Sequence, residues 1–462
     1  MTGLGEVGKW LGEYVPAAIA RHEVPGVAWA VLAGGEVLDG AAGVLSKATE
    51  VEATADSVFQ IGSITKLWTG TLVMQLVDEG KLDLDVPIRT YLPEFRIADE
   101  DAAARITTRQ LLSHTAGFEG DIFTDTGRGD DCVEKFLQEL HGVPQLFPPG
   151  ELFSYNNAGF CVLGRLVEVL RNSPYDVCLH DHLFTPLGLT HAATSPYEAI
   201  LFRAAVGHIA NEPGAGYQPA PVWALARSNA PAGSMLAMRP RDLLTFAQMH
   251  LNDGKAADGT QVLAPGTAAR MQEHAVDVPD LGLMGTSWGL SFERFDTPEG
   301  MVIGHDGGTI GQSAFLRIVP EKGVAIALLT NGGNAFALYR EVVGPVLEQL
   351  AGVHLNALPE PPANPERIDA SRYVGTYEAD VVELTVSQDD DGRIWLVQAP
   401  KGLFVELGEQ TERKELVPYG TDRLIPLEAD RGMYLPYVFI GDQGDGHARY
   451  LHMGRAVRRA GV

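Results

Sequence analysis

Apolar positions recur at helical spacing from the start of the chain. Val7, Trp10, Leu11, Tyr14, Val15, Ala18 and Ile19 share one face, with Glu6, Lys9 and Glu13 between them. This pattern predicts an amphipathic surface helix. It has no basic segment followed by an apolar core, so it does not read as a secretory signal. Residues 26–32 are almost continuously apolar and predict a strand. Gly34-Gly35-Glu36 predicts a hairpin turn into a second strand at 37–44. After an apolar stretch that ends at 59–62, a helical run follows at 67–77 and stops near Gly80. From about residue 65 to 285 the texture is helix and loop, with further helices at 106–112, 157–170 and 239–251. Strand patterns return from 288 to 329, punctuated by Gly304, Gly307, Gly308 and Gly311, and 335–351 predicts a closing helix. Strands on both sides of a helical insertion predict one sheet split in sequence.

The pattern changes after residue 356. Pro359, Pro361, Pro362 and Pro365 predict a stiff linker. Short strand-like runs follow at 373–377, 382–386, 394–397, 404–407, 424–427 and 437–440, separated by turns such as Asp389-Asp390-Asp391-Gly392. They predict a small antiparallel barrel or sandwich. The expected division is a catalytic-size domain at 1–355, a linker at 356–369 and an all-β domain at 370–462.

Composition narrows the partners. The 462 residues are 45% hydrophobic and 21% charged, a globular balance with room for a large core. The formal net charge of −25 disfavours nucleic acid and anionic membrane surfaces. Arg449, Arg455, Arg458 and Arg459 still allow a local basic patch near the C-terminus. Cys132, Cys161 and Cys178 form neither a disulfide framework nor a metal-ligand spacing, and read as buried apolar residues. No apolar run approaches the ~20 residues of a membrane span. The expectation is a soluble, cytoplasmic protein.

Three segments carry candidate chemistry. Ser63-Ile64-Thr65-Lys66 opens a helix. Residues three apart are neighbours there, so the hydroxyl and the amine share one face. A hydroxyl becomes a nucleophile at neutral pH when a base adjoins it. Lysine, with an ordinary pKa of about 10.4, serves as that base only when burial or a nearby cation lowers it. Tyr155-Asn156-Asn157 follows a proline turn and precedes a helix. Tyr155 could relay a proton, and Asn157 could hold the lysine and a substrate amide. Taken alone, the same residues read as a half-buried tyrosine and a helix-capping asparagine. His305-Asp306-Gly307-Gly308-Thr309 lies on a glycine-rich strand that a substrate backbone could approach. The N–H of Gly308 could join that of Ser63 as an oxyanion hole.

In that order, these segments resemble the S-x-x-K, Y-x-N and H-x-G active-site set of the serine β-lactamase and penicillin-binding-protein family. Leu111-Leu112-Ser113-His114-Thr115-Ala116-Gly117, Pro149-Gly150 and Ala232-Gly233-Ser234-Met235-Leu236 resemble it too. The resemblance covers about residues 8 to 350. It implies an α/β domain, with an antiparallel sheet and a helical subdomain and the site between them. The tail from Ser371 resembles the lipocalin-like barrel attached to some members. Ser63, Lys66, Tyr155, Asn157 and His305 are then the expected catalytic residues, and Gly307, Gly308, Gly233 and Ser234 the expected pocket border. His114 is expected to be a structural hydrogen-bonder. The chemistry is acyl transfer through an ester on Ser63, with no metal or organic cofactor required.

His305 stands where many members have lysine, which disfavours a typical antibiotic-hydrolysing enzyme. The two-domain layout and the H-x-G triplet are similar to the stand-alone penicillin-binding-protein-type thioesterases that release and cyclise nonribosomal peptides. That implies a peptidyl thioester on a carrier protein as substrate. The alternative is a cytosolic serine hydrolase, a D-stereospecific peptidase or esterase. A non-catalytic binding protein would not need this set of side chains.

Overall fold

The structure is a computed structural model that describes residues 3–210, 215–402, 405, 410–430, 432–442 and 444–461. The amphipathic pattern of the N-terminus forms α1 (Leu4–Arg21). It is followed by the hairpin β1 (Gly26–Ala33) and β2 (Glu36–Gly43). A single 3-10 turn, Gly62–Ile64, leads into α2 (Thr65–Asp78). Nearly all of α2 is buried, as expected of a helix that is apolar on every side. The two longest further helices of the insertion are α3 (Asn157–Arg171) and α4 (Pro240–Leu251), with shorter ones between and around them, among them Thr108–Leu112. The chain then returns to the sheet with β3 (Val276–Asp277), β4 (Ser287–Trp288), β5 (Glu293–Thr297), β6 (Gly300–Gly308), β7 (Ser313–Val319) and β8 (Val324–Thr330). Helix α5 (Ala335–Ala351) closes it.

All pairings in this eight-stranded sheet are antiparallel, in the order β2-β1-β8-β7-β6-β5-β4-β3. The junction of β1 with β8 joins the two ends of the sequence-split sheet. Alternate residues of β1 serve opposite faces, as a strand requires. Val27, Trp29 and Val31 pack against α1 and α5 in one apolar core. Ala28, Ala30 and Leu32 face the larger core, which holds Trp68 of α2 and Phe246 of α4. Those two rings stack at 4.1 Å. The sheet is thus the middle layer between a two-helix cover and a helical subdomain.

Eight strands close a C-terminal barrel: β9 (Gly375–Glu378), β10 (Val382–Gln388), β11 (Ile394–Pro400), β12 (Glu412–Pro418), β13 (Arg423–Pro426), β14 (Tyr437–Ile440), β15 (Tyr450–His452) and β16 (Ala456–Arg459). Tyr377, Leu384, Leu396, Phe439 and Leu451 fill it. The sequence pattern anticipates neither β12 nor β15 and β16. Glu412-Arg413-Lys414-Glu415 shows no apolar alternation because all four are charged, the first two exposed and the next two half-buried. The strand expected at 404–407 lies outside the described residues, Val405 apart. Among the described residues, no helix is long and apolar enough to cross a membrane.

The barrel docks on the segment that carries Tyr155. The Tyr450 hydroxyl donates to the Leu146 carbonyl at 3.0 Å. His452 donates from Nε2 to the Phe153 carbonyl at 2.8 Å. The N–H of Ala456 reaches Ser154 Oγ at 3.1 Å, and the N–H of Tyr155 reaches the Gly454 carbonyl at 3.0 Å. The turn between β15 and β16 therefore ends against the loop that presents the candidate phenol.

Candidate active site

Ser63 sits in the 3-10 turn and Lys66 in the first turn of α2. Lys66 Nζ lies 3.0 Å from Ser63 Oγ, 2.8 Å from Asn157 Oδ1 and 2.6 Å from the Ala232 carbonyl oxygen. The side chain is fully buried. Burial is the main reason its ammonium falls from an ordinary 10.5 to about 7, and the guanidinium of Arg455 pushes the same way. The three acceptors match the three N–H groups of an ammonium. In the neutral amine, two N–H bonds to Asn157 and Ala232 leave the lone pair for the Ser63 hydroxyl proton.

The neighbouring carboxyl groups do little to hold Lys66 charged. Asp121 receives Arg455 through Nε at 2.8 Å and Nη2 at 3.3 Å. Asp121 also accepts from Asn157 Nδ2 at 2.8 Å. Glu293 is buried, and burial, with Asp306 adding to it, pushes its carboxyl upward towards the neutral form. A continuous chain therefore runs from Arg455 through Asp121 and Asn157 to Lys66.

Tyr155 is 6% exposed and its hydroxyl lies near Ser63. Burial drives the phenol far above its ordinary value of 10.0, so it stays protonated at neutral pH. Such a group passes a proton on; it does not compete with Lys66 as the resident base. The ring is clamped on both sides. His114 stacks on it at 4.3 Å, and the Arg455 guanidinium lies 4.9 Å from its centroid. His114 is buried, held neutral chiefly by that burial, and accepts the Asn156 N–H at Nδ1 at 2.9 Å. Asn156 supplies the cap of α3, accepting the Gly159 N–H at 2.7 Å. This leaves Asn157, the first residue of the helix, free to turn its amide to Lys66.

Strand β6 explains the glycines. Its pairing with β5 ends at Gly304, while residues His305 to Gly308 continue to pair with β7. One edge of that stretch is therefore open, and the Ser63 turn packs over its face at Gly307. A Cβ on Gly307 would stand 1.9 Å from the Ile61 carbonyl oxygen, and one on Gly233 would stand 2.3 Å from that of Gly62. Only glycine permits this approach at either position. It brings the backbone nitrogens of Ser63 and Gly308 to one junction, with open space beside Gly308.

His305 faces the same side of the sheet as Ser63. Its ring lies 5.4 Å from Trp288 and 6.1 Å from Tyr155. Burial and the nearby Lys66 take it down to about 3, so it is a neutral imidazole. Nδ1 is 2.6 Å from the Asp306 carbonyl oxygen, and Nε2 has no hydrogen-bond partner. Ser234 is buried, and its hydroxyl donates to the Ala226 carbonyl at 2.6 Å. That bond holds the loop bearing Gly233 and Ala232.

The family profile described as Beta-lactamase matches residues 11–342. The chain belongs to the beta-lactamase family. A relative, "Penicillin-binding protein 4" of Amycolatopsis lactamdurans, is 45% identical over 368 residues, covering 79% of this chain and 96% of that protein. The solved structure of SurE is 30% identical with a TM-score of 0.81, covering 99% of this chain and 100% of that one. The structure of SurE with D-Leu is 29% identical with a TM-score of 0.77, covering 98% of this chain and 100% of that one. At that coverage the likeness to SurE includes the barrel.

Beyond the beta-lactamase family motifs, the site contains Asp121, Arg455 and Trp288, which sequence reasoning did not select. Arg455 stood out only as one of several C-terminal arginines. Its partner Asp121 is 334 positions away, and no periodicity or spacing links the two.

Proposed function

We propose that this protein is a serine acyltransferase that releases a peptide from a carrier-protein thioester and closes it into a ring. The observation that carries this reading is the barrel turn at Gly454 and Arg455, docked on Tyr155 beside an acylation-ready Ser63 and Lys66. A covered ester is shielded from water, which favours attack by an amine. The neutral His305 points the same way. Without an ammonium there, a substrate carboxylate beyond the scissile bond lacks its usual anchor, whereas an acyl group arriving as a thioester has no such carboxylate. The D-Leu complex of SurE supports a D-residue at the acyl terminus.

In the first half-reaction the Ser63 hydroxyl gives its proton to Lys66, and Oγ attacks the thioester carbonyl. The N–H groups of Ser63 and Gly308 stabilise the oxyanion. Collapse breaks the C–S bond, and the thiolate leaves with a proton from Lys66 relayed through Tyr155. In the second half-reaction the peptide's own amine attacks the ester. Its proton returns through Tyr155 and Lys66 to Ser63 Oγ as the C–O bond breaks. The proposed setting is the cytoplasm.

A linear peptide thioester mimic ending in a D-residue, analysed by mass spectrometry, tests this reading. Loss of the thiol without gain of water is the expected product. Linear acid alone would refute cyclisation and establish a D-selective hydrolase using the same residues.

A further inference from the structure

On the side of the sheet away from Ser63, between β5, β7, α5 and the stretch leading to the linker, lies a cavity of about 230 Å³. Phe295, Phe336 and Leu355 give it apolar walls, and Arg317, Tyr339 and Arg340 line the rest. Arg317 is 2% exposed. Its guanidinium sits 4.3 Å from the Phe295 centroid and 5.0 Å from that of Tyr339. Two of its nitrogens are committed to Asp306, at 2.6 and 3.1 Å, and one also to the Leu316 carbonyl at 2.9 Å. Its Nε is buried, so Arg317 forms part of the cavity wall and takes no direct share in holding an anion. Arg340 donates to the Asn356 carbonyl at 2.8 Å and forms no ion pair among the described residues. Asp280, also at the cavity, is paired with Arg423. The lining thus combines aromatic walls with the spare N–H groups of Arg340 and its unpaired positive charge, in a protein of net charge −25.

That chemistry selects a compact organic anion. A cavity of roughly 150 Å³ already holds benzene, so this one has room for a single ring and a short acid chain. We propose that the cavity is a binding site for a small aryl or alkyl carboxylate. The carboxylate meets Arg340, and the apolar body packs against Phe295 and Phe336. Charge-assisted hydrogen bonds to guanidinium supply the orientation, and the aromatic walls supply the contact area. A ligand of about twelve heavy atoms at an ordinary efficiency binds with a Kd of roughly 0.1–1 mM.

The test is a fluorine NMR titration of the full chain with 3-(4-fluorophenyl)propanoate. Saturable binding in that range is expected, unchanged when Ser63 has been blocked by a fluorophosphonate. Arg340→Glu should weaken it at least ~10-fold, as should replacing the acid by its primary amide. Leu355→Trp, at a half-buried position, should fill the cavity and abolish binding while the thermal melt stays unchanged. No saturation by ~10 mM, loss of binding on Ser63 blockade, or equal affinity of acid and amide would each overturn the assignment. So would unaltered affinity in both variants.

Discussion

On one side of Tyr155, Lys66 reaches Ser63 within a single helical turn. On the other, Arg455 arrives from the barrel, 334 positions from the aspartate it pairs with. The first contact follows from helix geometry: any chain that places Ser and Lys three apart at a buried helix start brings hydroxyl and amine together. The second exists only because two domains dock. Yet both act on the same amine. Burial by α2 and the surrounding core lowers Lys66, and the guanidinium lowers it further while also neutralising Asp121. The lesson is a division of labour: the motif supplies the reacting atoms, and the barrel adjusts their electrostatics.

The largest effects lie on the motif side. Ser63→Ala should remove all labelling by a fluorophosphonate and cost roughly 10⁶-fold in turnover. Retained labelling would place the nucleophile elsewhere. Lys66→Met should slow acylation about 10³-fold at pH 7.5 without changing the melt of the barrel, measured by labelling kinetics. An undiminished rate would assign the base to another group.

The barrel side should respond more gently. Asp121→Asn removes the anion between Arg455 and Asn157, so acylation should slow by about tenfold through the loosened amide. A double-mutant cycle with Arg455→Met should give a coupling of about 1–2 kcal/mol. Strict additivity would mean that the chain of hydrogen bonds is not a functional unit. Arg455→Met alone should have the smallest effect on rate, with a diagnostic sign. Losing a cation favours the charged lysine, so the acid limb of the pH profile should move to higher pH. A move to lower pH would contradict the electrostatic role.

The same division governs what could be read from sequence. Ser63, Lys66, Tyr155, Asn157 and the glycine strand sit in short segments whose spacing carries their geometry. Helix α1 and strand β1 show their burial as a simple periodicity. Strand β12 does not, because its Glu-Arg-Lys-Glu run puts charged residues on both faces of the strand. Asp121 and Arg455 are ordinary charged residues in irregular segments until docking brings them together. Ser234 reads as part of the pocket because it follows Gly233, but its hydroxyl is committed to the Ala226 carbonyl of its own loop. The Y-x-N motif names its outer residues, yet the cap that lets Asn157 turn inward comes from the middle one, Asn156.

The neutral lysine is the claim on which the chemistry rests, and the pH dependence of Ser63 acylation tests it most directly. The base works when unprotonated, so the second-order labelling rate of the wild-type protein should rise with pH through an inflection near 7 and then level off. A rate that keeps rising tenfold per pH unit towards 10, with no inflection near neutrality, would contradict the account.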